Sequence, residues 1–189
     1  MKTLIISDIH GNADALRAVV DAEDAIDHTI FLGDALLAGP QANETAAILQ
    51  SLDPEVCVMG NHDEEVLDRS LYANWPDEWV ALHDWILDRL DESAYEYIRG
   101  YSPAGRYTVG GVDMYLHHGE IDKSFPKILP NAPNESFLAL ESDQPLTLFG
   151  HTHVQFERQI DGTRYINPGS VGQPRCGIFH ACYGVIVDG

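Results

Sequence analysis

Basic residues are scarce in this chain. Lysine and arginine together number 11 against 30 aspartates and glutamates, a formal net charge of -19 over 189 residues. Proteins that bind DNA or RNA carry a basic footprint that neutralises phosphates. None is visible here, which argues against nucleic acid as a partner. An acidic surface also repels polyanions at long range, so small or metal-neutralised substrates are favoured. Cysteine is sparse as well. Cys57, Cys176 and Cys182 are odd in number and form no close metal-type pair. Cys57 sits in an apolar run and reads as a small buried hydrophobe. Cys176 and Cys182 are near enough in sequence to meet across a turn, but a disulfide between them is not expected. Long apolar runs are missing too. Leu4-Ile5-Ile6 is too short for the apolar region of a signal peptide, and no stretch is long enough to span a bilayer. The expectation is a cytoplasmic protein with no membrane partner. The oligomeric state is not legible in the sequence.

What is present is an ordinary globular composition, 44% hydrophobic and 22% charged, at a length that supports one sizeable core. A single domain over residues 1–189 is expected. Thr3–Ile6, His28–Leu32 and Val56–Met59 read as buried strands, separated by helices over Ala13–Asp24 and Asn43–Leu52. Asn12 suits the first helix as its N-cap. This run predicts parallel strands joined by right-handed crossovers. Glu64–Gly100 predicts two or three helices. Trp75, Trp79 and Trp85 read there as packing residues, although the same stretch is placed to wall a cleft. Gly110-Gly111 and Asp161-Gly162 mark two hairpins. A helix over Asn134–Glu141, a strand over Leu146–Phe149 and a last strand over Tyr183–Val187 complete the α/β pattern.

Five apolar strands end in polar residues of one chemical kind. The termini carry Asp8 and His10, Asp34, Asn61 with His62, His118, and His151 with His153. An aspartate after an apolar strand is often only a turn or helix cap, and a lone histidine is usually a hydrogen-bonding residue. Independent capping does not repeat ligand types at five strand ends. Residues at i and i+2 of an extended segment share a face, so Asp8 with His10, and His151 with His153, are each expected to face one centre. Oxygen and imidazole donors without thiolate suit Mn, Fe, Co, Ni or Zn. Seven donors exceed what one ion needs, and two ions sharing a carboxylate would use them all.

In order and spacing, Asp8-Ile9-His10-Gly11-Asn12, Gly33-Asp34, Gly60-Asn61-His62-Asp63, His118-Gly119 and Gly150-His151-Thr152-His153 resemble the motifs of the calcineurin-like metallophosphoesterases. The tail Asn167-Pro168-Gly169-Ser170-Val171-Gly172-Gln173-Pro174-Arg175 is similar to that of small bacterial and archaeal members. The resemblance implies an αββα four-layer sandwich of two mixed sheets flanked by helices. It implies two divalent transition-metal ions, Mn foremost and Fe, Co, Ni or Zn as alternatives. One would be held by Asp8, His10, Asp34 and His153, and the other by Asp34, Asn61, His118 and His151. The family pattern puts the ligand directly before Gly119, which selects His118 over His117. His62 would face the substrate and protonate the leaving oxygen, with Asp63 either orienting it or serving as a helix cap.

The implied reaction is hydrolysis of a small phosphate ester by water activated between the ions. The alternative is a binding scaffold on the same fold. The protein-phosphatase branch has an arginine soon after the bridging aspartate, whereas here Ala35-Leu36-Leu37-Ala38-Gly39-Pro40 follows. Arg175 is a candidate phosphate clamp.

Overall fold

The structure is a computed structural model and describes residues 1–119, 127–140 and 143–187. Two sheets carry the fold. The first has the order β3-β2-β1-β9, built from β1 (Lys2–Ile6), β2 (His28–Phe31), β3 (Val56–Cys57) and β9 (Gly184–Val187). Its first three strands are parallel and β9 runs antiparallel to β1. The second has the order β4-β5-β6-β8-β7, from β4 (Gly105–Val109), β5 (Val112–His117), β6 (Leu146–Phe149), β7 (Phe156–Ile160) and β8 (Thr163–Asn167). Both hairpins form at the expected turns, β4 with β5 across Gly110-Gly111 and β7 with β8 across Asp161-Gly162. The helices are α1 (Ala13–Ala22), α2 (Ala42–Leu52), α3 (Asn61–Leu67), α4 (Asp77–Leu87), α5 (Glu92–Arg99) and α6 (Asn134–Leu138), with a 3-10 turn at Arg69–Leu71. The expected end of α6 at Glu141 lies outside the described residues.

Three separate apolar clusters define the layers. One joins the first sheet to its helices through Leu4, Ile6, Leu16, Phe31, Leu49 and Ile98. A second lies between the sheets, with Ile5, Ile30, Leu32, Val56 and Val58 facing Val109, Met114, Leu116 and Leu148. The third packs α6 on the outer side of the second sheet, with Phe137 against Phe149 and Tyr165. Side chains alternate across a strand, so Leu4 and Ile6 serve the outer cluster while Ile5 serves the inner one. The result is the expected αββα sandwich. β3 is shorter than expected, two residues rather than four. Its position is secured by burial of Val56 and Val58, each worth about 1.5–3 kcal/mol, more than by ladder bonds.

The loops after β1, β2, β3, β5 and β6 meet at one end of the two sheets. Backbone bonds tie them together: Asp8 N–H to Gly33 O at 2.9 Å, His10 N–H to Asp34 O at 3.1 Å, and Gly150 N–H to His118 O at 2.7 Å. The tail loop after β8 locks them further. Asn167 Nδ2 donates to Gly150 O at 2.6 Å, Ser170 Oγ donates to Asp8 O at 2.7 Å, and Gly172 N–H donates to Asp8 O at 3.1 Å. Asp8, His10, Asp34, His151 and His153 all adopt left-handed backbone, with φ of 53°, 50°, 63°, 67° and 60°. The expected sharing of a face along extended backbone is therefore not how these pairs converge. A left-handed residue turns the chain sharply; these turns bring Asp8 and His10 to one group, and send His153 to that group and His151 to the neighbouring one.

Gly60 permits a close approach to Asp34. A Cβ there would overlap the Asp34 Oδ1 atom and lie 2.6 Å from the Asp34 amide nitrogen. Its φ of -96° suits any residue, so the constraint is purely one of space. Gly60→Ala is therefore expected to lower unfolding stability by roughly 1–3 kcal/mol, the range for overpacking, and to displace the Asp34 carboxylate. Urea denaturation checks it, and an unchanged midpoint contradicts it.

Candidate metal centre

Three histidines share one hydrogen-bonding logic. His10 Nδ1 meets Leu37 O at 3.0 Å, His153 Nδ1 meets Gln173 O at 2.8 Å, and His118 Nδ1 meets Leu32 O at 2.8 Å. A carbonyl oxygen only accepts, so each Nδ1 carries the proton. A ring with no second proton then presents a bare Nε2 to the centre. The Nε2 atoms of His10 and His153 stand 3.1 Å apart, two lone pairs face to face. Asp8 Oδ1, buried and without a hydrogen bond, lies 3.3 Å from His153 Nε2 and 3.8 Å from His10 Nε2. The other Asp8 oxygen is committed, taking the Ser7 hydroxyl at 2.6 Å and the His151 amide at 3.1 Å.

A second group lies beside the first. His118 Nε2 is 3.1 Å from Asp34 Oδ2 and 3.1 Å from Asn61 Oδ1. His151 Nδ1 is 2.9 Å from the same Asn61 oxygen. Asp34 Oδ2 also stands 3.9 Å from His10 Nε2, so one carboxylate oxygen faces both groups. Ligand-type atoms of Asp8, His10 and His153 lie within 4.8 Å of one another, and so do those of Asp34, His118 and His151. The chemistry of both donor sets fits a cation. Acceptors converge, and the buried Asp8 Oδ1 has no hydrogen bond, an arrangement that a bound cation would compensate.

Protonation in the absence of ions follows the same geometry. Burial pushes His10 down to about 4. Burial, with the His118 charge beside it, pushes His151 down to about 3. Both are neutral donors at neutral pH. Burial opposes charge on His118 too, but the Asp34 carboxylate outweighs it and lifts the ring to about 10. Asp34 itself is held well below the usual carboxylate range, against burial, by His118 and His62.

His62 and Asp63 follow Asn61 directly, at the start of α3 rather than on a strand end. The His62 amide donates to Asp34 Oδ1 at 2.9 Å. Burial lowers its imidazole pKa, while Asp34 and Glu65 raise it by more. The expectation that Asp63 orients His62 does not match the geometry. The Asp63 carboxylate points back to three amides, Asp34 N–H at 2.7 Å, Ala35 N–H at 2.9 Å and Gly60 N–H at 3.0 Å. It is a cap that shapes the Asp34 turn. The carboxylate on the His62 ring is Glu65, with Oε2 2.7 Å from Nδ1. Sequence reading passed over Glu65, although a helix starting at Asn61 puts positions i and i+3 side by side.

His117 takes no part in these groups. Its Nδ1 accepts the Gly119 amide at 2.7 Å, and its ring stacks on Tyr115. The cleft above the centre has a volume of about 310 Å³. His10, Asp34, His62, His151 and His153 form its floor, Trp75, Pro76 and Trp79 one wall, and Lys127 and Arg175 supply positive charge. Trp79 and Trp85 are 44% and 46% exposed, so neither is the packing residue expected of it. Trp85 carries the Arg89 guanidinium on its face at 4.6 Å. The Cys176 and Cys182 sulfurs approach to 4.0 Å without a disulfide. Among the described residues, no helix is long and apolar enough to cross a membrane.

Proteins named as phosphoesterases are similar to this chain. A metallophosphoesterase structure from Sphaerobacter thermophilus superposes with a TM-score of 0.79 at 29% identity, covering 98% of this chain and 83% of that one. Phosphodiesterase YfcE of Escherichia coli is 27% identical over 197 residues, covering 98% of this chain and 87% of that protein. A symmetrical bis(5'-nucleosyl)-tetraphosphatase of Pseudomonas fluorescens is 36% identical over a shorter stretch of 74 residues, 37% of this chain and 26% of that protein. The family model of the calcineurin-like phosphoesterase superfamily domain matches residues 1–186. From first strand to last, the chain thus belongs to the calcineurin-like phosphoesterase superfamily, a family of phosphate-ester hydrolases.

Proposed function

We propose that the protein hydrolyses small phosphate esters, diesters or monoesters including nucleotides, at a centre of two divalent transition-metal ions. Asp8, His10, Asp34 and His153 hold one ion in this reading, and Asp34, Asn61, His118 and His151 hold the other. The observation that carries it is the 3.1 Å approach of the bare Nε2 atoms of His10 and His153, beside the orphaned Asp8 Oδ1. Lone pairs repel at that distance, and a cation between them turns repulsion into bonding. When bound, a pair of ions supplies Lewis acidity and lowers the pKa of water. A mixed oxygen and imidazole set without thiolate suits Mn, Fe, Co, Ni or Zn, and Mn is taken first from the family resemblance.

The remaining work falls to the chain. His62 lines the cleft, and the Glu65 bond leaves its Nε2 free to give a proton to the leaving oxygen. The Asp34 carboxylate anchors the His62 amide, so the proton donor is tied to the bridging residue. Lys127 and Arg175 stand where phosphate oxygens outside the centre would lie. The indole wall of Trp75 and Trp79 offers a face to a planar leaving group such as a nucleobase. The name of the tetraphosphatase relative supports nucleotides as one class of substrate, and that of YfcE supports diesters.

Mn titration of the purified chain is expected to saturate at two ions. Asp34→Asn should weaken both, and Asn61→Ala mainly one. Binding should also weaken at acidic pH, because imidazoles must be unprotonated to ligate. Saturation at one ion contradicts the shared carboxylate.

His62→Ala is expected to keep both ions while kcat falls about 10²–10⁴-fold, the usual contribution of a general acid. The loss should be smallest for nitrophenyl esters, whose leaving groups need little protonation. Loss of an ion would make His62 a ligand. If two-metal wild-type protein hydrolyses no phosphate ester, the scaffold alternative replaces the enzyme reading.

A further inference from the structure

The His62 ring sits against a buried group that the reaction as described does not use. Glu65 is 3% exposed and His83 is fully buried. Glu65 Oε2 bonds His62 Nδ1 at 2.7 Å and stands 3.9 Å from His83 Nδ1, beyond hydrogen-bond range. Both His83 nitrogens are buried without a hydrogen-bond partner. Aromatic rings enclose His83, with Tyr72 at 5.1 Å, Trp75 at 5.4 Å and Trp79 at 6.5 Å between centroids. The His62 ring meets it edge-on at 5.7 Å.

We infer that Glu65 is a positioning residue that fixes the tautomer and aim of His62, and that His83 with its aromatic surround seals this pair from water. A carboxylate accepts only, so the proton of the His62–Glu65 bond sits on Nδ1. That leaves Nε2 as the ring nitrogen available to the cleft. The geometry favours this dyad over a third cation site. Donors around one ion at about 2.0–2.2 Å lie near 3 Å or more from each other, whereas 2.7 Å is the length of a charge-assisted hydrogen bond. Glu65 is committed to His62 and not shared, since His83 stays out of reach of the same oxygen. Burial strengthens the bond, because a hydrogen bond is electrostatically stronger away from water. Glu65 does for His62 what the carboxylates behind metal-bound imidazoles do, orienting a ring whose other nitrogen works.

The inference rests on His62 being the proton donor, and its test separates the two. Glu65→Gln keeps the shape, but its amide can bond Nδ1 through either oxygen or nitrogen, so the tautomer is no longer fixed. It is expected to retain two Mn ions and lower kcat about 10–100-fold for alkyl or nucleoside esters, the range seen when an orienting partner is removed. The loss for nitrophenyl esters should be small. In a His62→Ala background the same change should cost nothing further. An equal loss for every leaving group, full additivity with His62→Ala, or loss of an ion each overturns the inference. Nitrogen-15 spectra of the wild-type protein loaded with Zn give a second reading that needs no variant and no turnover. A protonated His62 Nδ1 is expected, and a bare Nδ1 overturns the inference. If the wild-type protein hydrolyses no phosphate ester, the function proposed above fails, while the Nδ1 measurement still decides the role of Glu65.

Discussion

Too many acceptors and too few protons meet at one end of the sandwich. His10 Nε2, His153 Nε2, Asp8 Oδ1, Asp34 Oδ2 and Asn61 Oδ1 all point into the same small buried space. The Nδ1 protons of His10, His153 and His118 are already given to backbone carbonyls, and Asp8 Oδ1 is left without a hydrogen bond. The surrounding structure is shaped to sustain this convergence. Five residues of the centre hold left-handed backbone, at about 1–3 kcal/mol each for a residue other than glycine. Structural zinc sites contribute on the order of 10 kcal/mol each, so bound cations are a term of the right size to offset that strain.

The sandwich supplies rigidity where the centre needs it. Donors come from both sheets, and the inner cluster of Ile5, Ile30, Leu32, Met114 and Leu148 holds those sheets in register. The tail after β8 then closes over the Asp8 loop through Asn167, Ser170 and Gly172. This explains why a segment with no ligand of its own carries so distinctive a sequence. Above the rigid floor the cleft is open, with an indole wall on one side and two cations on the other. The overall charge of -19 makes Lys127 and Arg175 local exceptions at the cleft.

The layers were legible because apolar runs, Gly-Gly and Asp-Gly turns and polar strand ends are all local signals. The convergence of Asp8, His10, Asp34, Asn61, His118, His151 and His153 was legible for the same reason, since ligand types recurred at five strand ends. Two features escaped. The stretch Gly60-Asn61-His62-Asp63 reads as the end of a strand, but α3 begins at Asn61 without a spacer. A helix start changes which side chains are neighbours, so Asp63 turns back to cap amides and Glu65 reaches His62. Likewise the spacing of Trp75, Trp79 and Trp85 suits packing, yet only Trp75 packs on the core, and Trp75 and Trp79 form the cleft wall that is the other reading of this stretch. Periodicity reports which residues share a face, not what that face meets.

The central claim is that one carboxylate joins two cations. Anomalous diffraction from Mn-soaked crystals tests it most directly. The account predicts two peaks about 3.5–4 Å apart with Asp34 between them, one beside His10 and His153 and the other beside His118 and His151. A single peak, or two peaks of which only one touches Asp34, would contradict it.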